Sequence, residues 1–416
     1  MNMRTLGMRY LTAELLRFLS EERKMAFIAG PRQVGKTTLA RHILSPDGAG
    51  GGYFNWDVES HRKAILKAPE NFWAGASRIV LDEIHKYPRW KRFLKGLYDS
   101  TAPAGLGRGG AGRRVEIIVT GSGRLDVYQR GGDSLFGRYG LYRLHPFTLG
   151  EFLDPGRRVP APADFWRQVL ERDPPAGAEE ALRRLERCTG FPEPLFAGSE
   201  TRLRRWRRSR KHLVLREDLR DLTRIRDVGL LEALVELLPE RVGSPLSLNA
   251  LGEDLGVAYG TVRCWMETLA RLYYLFEIRP FAGKLARALR REAKAYLFDF
   301  SEIESPGPRF ENLAALHLHK LCDAWNDLGV GDFRLHYVRD KEKREADFLI
   351  TESSRPHALI ETKLSGLDIS PSLSYFHERL KPVHAIQLVR QAPGSAVIKR
   401  RDGAAVMTAA RLLAWI

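Results

Sequence analysis

Between Met25 and Leu44 the chain reads MAFIAGPRQVGKTTLARHIL, and no other segment restricts the fold as tightly. Met25–Ala29 is a short apolar run of the kind buried as a parallel strand. Gly30, Gly35, Lys36 and Thr37 then satisfy G-x-x-x-x-G-K-[ST], and LARHIL continues with helical spacing. Glycines let a backbone wrap an anion so that successive N–H groups point inward, and the helix N-terminus behind them adds a favourable dipole. Gly30, Pro31, Arg32, Gln33, Val34, Gly35, Lys36, Thr37 and Thr38 are therefore expected to cradle the phosphates of ATP. Lys36 would reach the β- and γ-phosphates, and the Thr37 hydroxyl would sit on Mg²⁺.

A loop of this kind needs a carboxylate at the end of a second strand. RIVLDEIH (Arg78–His85) supplies two, with Asp82 expected to hold Mg²⁺ through water and Glu83 to polarise a water for attack on the γ-phosphate. An Asp-Glu pair argues for hydrolysis rather than for a passive nucleotide switch. A further apolar strand, VEIIVTGS (Val115–Ser122), ends in hydroxyls. Thr120 or Ser122 would contact the γ-phosphate or the attacking water, or else cap the following helix.

At 416 residues, the prior is about three domains at roughly 150 residues each. PDGAGGG and TAPAGLGRGGAGRR read as surface loops inside the first strand-helix region, and LDPGRRVPAPAD (Leu153–Asp164) as a boundary. Helical periodicity dominates from Phe165 to about Leu275, and strand patterns return near Lys294. The expected domains are 1–153, 165–282 and 283–416, α/β overall, with a parallel-sheet P-loop core, a helical and winged-helix middle and a C-terminal α/β part. Three cysteines without a CxxC pair exclude a disulfide scaffold and a cysteine-built zinc site. No run approaches the roughly 18 apolar residues of a membrane span, and the first residues lack a secretory signal. The expectation is a cytoplasmic protein that does not act at a membrane.

The chain carries 67 Lys and Arg against 51 Asp and Glu, a formal net charge of +16, which favours a polyanionic partner. ETRLRRWRRSRKHLVLREDLRDLTRIR (Glu200–Arg226) and KLARALRREAK (Lys284–Lys294) concentrate the excess, and either could equally be a solvated helix face. Between them, Ser244–Phe281 has a helix-turn-helix pattern, with Leu248, Leu251 and Leu255 on one helix, Gly256 at the turn, and Val262, Met266 and Leu269 on the second. Leu272–Phe281 would form the wing. The outward positions Tyr259, Thr261, Arg263 and Glu267 are only weakly basic, which suits packing or backbone contact better than base reading.

In the C-terminal region, Glu311 opens a helix, EADFLI places Asp347 on a strand, and Glu361 and Lys363 alternate along HALIETK, so they project from one face. Asp347 on the adjoining strand can meet them. Carboxylates of this kind bind Mg²⁺ or Mn²⁺, and Lys363 could orient a water or stabilise charge on phosphorus. The bland reading, Glu and Lys solvating a half-exposed strand, has the same spacing. His317 and His319, two apart on one helix, do not share a face and read as structural or exposed.

GPRQVGKTT, YFNWD, VLDEIHKYPRW, IIVTGSGRLDV and LFGRYGLYRLHPFTLGEF together resemble the successive blocks of a prokaryotic AAA+-type ATPase family. Its members usually carry a C-terminal domain of unknown function similar to PD-(D/E)xK nucleases. The resemblance runs from about Met25 to Lys363. It implies a catalytic-glutamate ATPase core, homo-oligomers such as a hexameric ring, and an arginine finger at Arg138, with Arg143 the rival. It implies a metal-dependent nuclease role for Glu311, Asp347, Glu361 and Lys363, all four of which are present. The expected function is an ATP-hydrolysing enzyme acting on branched or unwound DNA as motor, structure-specific nuclease or both. The alternative is a nucleotide-controlled switch or scaffold in defence or signalling with a silent nuclease fold.

Overall fold

The computed structural model describes residues 7–44, 51–69, 71–101, 115–121, 135–218, 227–282, 292–392, 398–401 and 403–416. It contains two compact units, Met1–His145 with Pro155–Arg158, and Pro146–Asp154 with Val159–Ile416.

The first unit runs α1 (Thr12–Glu21), β1 (Met25–Ala29), α2 (Lys36–Leu44), β2 (Gly51–Asn55), α3 (Glu59–Lys67), β3 (Arg78–Asp82), α4 (Trp90–Ser100), β4 (Glu116–Thr120) and β5 (Tyr139–Arg143). All five strands are parallel, in the order β2-β3-β4-β1-β5. Every residue of β1 is buried, which is why MAFIA is a continuous apolar run rather than an alternating one. The P-loop strand and the Asp82 strand are not neighbours, because β4 lies between them. Their C-terminal ends nonetheless open on one edge, about 10 Å apart at two strand spacings. Helix α1 buries Leu15, Phe18 and Leu19, and Phe18 meets Tyr142 edge-on at 5.3 Å. Gly140 makes room for it, since a β-carbon there would lie 2.5 Å from the Phe18 ring.

The second unit begins with α5 (Leu149–Leu153), α6 (Pro162–Glu171), α7 (Ala178–Cys188), α8 (Pro192–Ala197), α9 (Glu200–His212), α10 (Val228–Arg241), α11 (Leu248–Leu255) and α12 (Tyr259–Arg271). It continues with β6 (Leu275–Pro280), β7 (Lys294–Leu297), α13 (Pro306–Asp327), β8 (Phe333–Arg339), β9 (Glu345–Glu352), β10 (Arg355–Lys363), α14 (Pro371–Leu380), β11 (His384–Val389), β12 (Ile398–Arg401), β13 (Ala404–Thr408) and α15 (Ala409–Leu413). The eight strands form one mixed sheet, ordered β12-β13-β11-β10-β9-β8-β6-β7. Strands β8, β9 and β10 form an antiparallel meander, and β10, β11 and β13 run parallel.

Helices α11 and α12 make the expected helix-turn-helix, with Ser247 capping α11 and Gly256 ending it in the left-handed conformation (φ 66°). The wing differs from expectation. Leu272–Phe281 does not close on itself: β6 pairs antiparallel with β7 and parallel with β8 through Arg279 and Pro280. The segment expected to end a domain at 282 is thus a strand of the C-terminal sheet, because its apolar residues find their partners there. Among the described residues no helix is long and apolar enough to cross a membrane.

Candidate functional site

The glycine-rich loop is held open from its own side of the sheet. Gly30 adopts φ 150°, and a β-carbon on it would lie 2.3 Å from the Leu144 carbonyl oxygen, so only glycine fits. Gly35 (φ 101°) and Gln33 (φ 64°) are also left-handed. The Lys36 ammonium, nearly buried, donates to the carbonyls of Gly30 at 2.9 Å and Pro31 at 2.7 Å. Val34 is buried and Thr38 exposed at the start of α2. Arg9, which the sequence reading passed over, is also buried, and it donates to the carbonyls of Val34 (2.8 Å) and His145 (2.6 Å). A charged side chain before the first apolar helix gave no signal of that role.

Asp82 ends β3, buried, and its carboxylate takes three hydroxyl donors. Thr37 Oγ1 (2.9 Å) and the Tyr53 phenol (2.6 Å) donate to Oδ2, and Thr120 Oγ1 donates to Oδ1. Thr120 therefore faces Asp82. Ser122 lies outside the described residues. Nothing in the YFNWD pattern marks Tyr53 for this contact; burial, with the Asp82 charge beside it, pushes its phenol up to about 12. Glu83 adopts φ 56°, ψ 20°, which turns the chain sharply past the strand end. Burial raises its carboxyl above the usual range, partly offset by Lys36 and Lys86, the second with Nζ 3.7 Å from Glu83 Oε2.

Arg138 and Arg143 lie at opposite ends of β5. The register pairs Met25 with Tyr139 and Ala29 with Arg143, so Arg138 precedes the strand at the edge away from the phosphate loop. Its guanidinium pairs with Asp99 at 3.0 Å. Arg143 aligns with the last residue before Gly30.

In the second unit Glu311, Asp347, Glu361 and Lys363 converge on one region of the sheet. Asp347 Oδ2 accepts from the Thr362 N–H (2.8 Å) and hydroxyl (2.6 Å). Lys363 pairs with Glu361 Oε1 at 2.8 Å, while Glu361 Oε2 is buried without a hydrogen-bond partner among the described residues. Burial and the Asp347 charge raise Glu311 and Glu361 to about 7. Gly243 makes space for Glu311, since a β-carbon there would lie 2.8 Å from Glu311 Oε2. The sequence reading missed Lys294. It was placed in a basic surface cluster, yet its side chain is wholly buried, with Nζ 2.6 Å from Glu345, 3.2 Å from Glu311 and 3.9 Å from Asp347. The like charges are offset by this ammonium as well as by Lys363. The rest of that cluster, 283–291, lies outside the described residues.

Helix α9 splits the other basic cluster in two. Arg210 is buried over the Phe191 ring at 4.5 Å, Arg207 donates to the Ser301 carbonyl at 2.7 Å, and Lys211 pairs with Glu302 at 3.0 Å. Arg202, Arg204, Arg205 and Arg208 are exposed, and their guanidinium groups make no hydrogen bond or ion pair among the described residues. On α12, Tyr259, Arg263 and Glu267 instead line a groove of about 620 Å³ with Glu277, Arg279 and Glu292. Arg263 pairs with Glu267 and Arg279 with Glu277, each at 3.0 Å, so both arginines of this face are neutralised and Glu292 leaves it slightly acidic. His317 is structural, its Nε2 accepting from the Leu149 N–H at 2.9 Å and its Nδ1 2.7 Å from the Leu313 carbonyl.

Residues 22–153 match the family described as "AAA domain", and residues 179–301 match a domain of unknown function (DUF8612). An uncharacterized protein of Mycobacterium tuberculosis, Rv2008c, is 24% identical over 359 residues, covering 84% of this chain and 72% of that protein. Among solved structures, the RuvB Holliday junction branch migration motor of Thermotoga maritima is similar at 17% identity and a TM-score of 0.31, over 64% of this chain and 86% of that one. The ORC2 protein of Aeropyrum pernix, in ADPNP-ADP complexes, is similar at 14% identity and a TM-score of 0.37, over 74% and 93%. The five parallel strands and the glycine-rich loop of the first unit lie within the segment that matches the AAA domain.

Proposed function

We propose that the chain hydrolyses ATP at Gly30–Thr38 and acts on DNA. The observation that carries the reading is the Thr37–Asp82 hydrogen bond, which joins the loop to the carboxylate strand across β4, with Glu83 next in sequence. Hard oxygen donors brought together in this way fit Mg²⁺. Thr37 and Asp82 would hold the ion, and it would offset charge on the β- and γ-phosphates. The loop N–H groups and Lys36 bind and orient the phosphates. Glu83, its carboxyl raised by burial, is a stronger base than an exposed glutamate and accepts a proton from the attacking water. Arg138, at the far edge of its own sheet, serves a neighbouring copy, which requires an oligomer such as a hexameric ring. The four exposed arginines of α9 offer DNA phosphates a contact surface.

The test is nucleotide binding and turnover with and without duplex, single-stranded and junction DNA. Lys36→Ala should lose tight ATP binding, and Glu83→Gln should bind normally but turn over at least about 100-fold more slowly. Arg138→Ala should bind yet hydrolyse poorly, with partial recovery when Lys36→Ala subunits are mixed in. Normal turnover by Glu83→Gln would end the catalytic assignment. ATP-dependent assembly without DNA stimulation would favour the switch reading.

The buried Oε2 of Glu361, without a hydrogen-bond partner among the described residues, favours a second reading, metal-dependent phosphodiester cleavage in the second unit. Glu311, Asp347 and Glu361 would hold Mg²⁺ or Mn²⁺, whose chemistry is to lower the pKa of a bound water. Lys363 would stabilise charge on phosphorus. Wild type should nick end-labelled flap or junction DNA with Mn²⁺ while Asp347→Ala does not. Equal, absent cleavage by both would leave the region a binding module.

A further inference from the structure

We propose that Tyr53 is a positioning residue for Asp82, setting how tightly the phosphate loop retains the divalent cation of a bound nucleotide. The inference rests on the nucleotide reading above. Tyr53 lies on the edge strand β2, where the register places Asn55 opposite Asp82 and Tyr53 opposite Val80. An edge tyrosine can leave its hydroxyl in water. This one turns it inward to Asp82 Oδ2 at 2.6 Å, and the Asn55 amide donates to the phenol oxygen at 3.4 Å.

The ring is fixed from two helices. The Arg41 guanidinium of α2 lies 4.1 Å above its centroid, and the His61 ring of α3 meets it edge-on at 6.4 Å. Tyr53 therefore connects the helix that carries Lys36 and Thr37 with the strand that carries Asp82. Oδ2 is also the oxygen that accepts from Thr37 Oγ1. A threonine hydroxyl can offer a lone pair to a cation only while its proton has somewhere else to point, and here that acceptor is Asp82 Oδ2. Thr120 holds the other oxygen, so the Tyr53 phenol is what keeps Oδ2 facing α2. Outer partners of this sort commonly change metal affinity without touching the metal.

Tyr53→Phe removes the hydroxyl and keeps the ring under Arg41, so the fold is preserved; thermal melting of the full chain checks this. The probe is a fluorescent ATP analogue, titrated with Mg²⁺ and separately in EDTA. Affinity in EDTA should stay within about twofold of wild type, while the Mg²⁺ concentration for half-maximal tightening should rise about tenfold. Turnover at saturating Mg²⁺ should stay within about twofold, so that the defect appears in the Mg²⁺ requirement and not in kcat. An unchanged or lower Mg²⁺ requirement, or an equal loss of affinity with and without Mg²⁺, would reduce Tyr53 to a packing residue. A Tyr53→Leu variant, losing ring and hydroxyl together, should match Tyr53→Phe in its Mg²⁺ requirement; if only Tyr53→Leu is impaired, the ring and not the hydroxyl matters. Wild type that binds nucleotide without any response to Mg²⁺ would overturn the underlying reading together with this one.

Discussion

Trp166, His357 and His384 show how one side chain can govern acid sensitivity. The His384 ring stacks on Trp166 at 4.4 Å, and the Trp166 indole N–H donates to His357 Nε2 at 2.9 Å. Burial lowers His384 to about 4 and also lowers His357, against the opposing pull of Glu352 3.5 Å from His357 Nδ1. The unfolded chain takes up these protons first, near pH ~6.5, so the stabilisation is complete above that value and lost as pH falls toward the folded pKa. His384→Phe keeps the stack and removes one proton site. Its melting temperature should fall less than that of wild type between about pH 7 and pH 4.5. Identical falls would show that His384 does not titrate with unfolding.

At the scale of the element, α9 is a helix with two populations of arginine. Arg207 and Arg210 are consumed by packing, which pins the helix, and that leaves Arg202, Arg204, Arg205 and Arg208 on its outer side. Positions 201, 204, 205 and 208 share one helical stripe, so three of the four charges form a continuous row with Arg202 beside it. Backbone binding releases about 0.9 counterions per duplex phosphate neutralised. Replacing the four by alanine should flatten the log-log salt slope by up to about 3.6, and weaken every sequence equally. Fluorescence anisotropy of a labelled duplex over a salt series measures it. An unaltered slope would exclude α9 as a DNA-contacting surface. The face of α12 and β6 makes the contrast plain: its Arg-Glu pairs leave neither arginine free of a carboxylate, which fits packing or protein contact better than reading bases.

For the whole molecule, the sequence is most legible where local geometry dictates residue type. The strand-loop-helix at Met25–Leu44, the strand ending in Asp82 and the helix-turn-helix all follow from glycine positions and apolar periodicity, and each stands in the structure. Alternation along β10 gives Glu361 and Lys363 one face and the adjoining β9 brings Asp347 to them, whereas Glu311 joins from helix α13. What escaped the reading depends on partners distant in sequence. Arg9 reaches the phosphate loop from ahead of the first helix, and Tyr53 reaches Asp82 from an edge strand. The wing was expected to close locally, but β6 is shared between β7 and β8, and nothing within Leu272–Phe281 announces a strand 50 residues onward. Lys294 misled because a lysine beside arginines looks solvated, whereas three carboxylates from α13 and β9 draw it inside.

That buried ammonium has a consequence for how the second unit lives with its own acidity. Sites that depend on a metal for cohesion come apart when a chelator strips the ion, since binding energy and folding energy are the same quantity there. Here the counter-charge is encoded and covalently tethered. It cannot be exchanged, depleted or outcompeted, and it is already present as β7 docks against β6. The sheet is therefore expected to fold without divalent ions, so that EDTA should leave the melting temperature of the full chain unchanged.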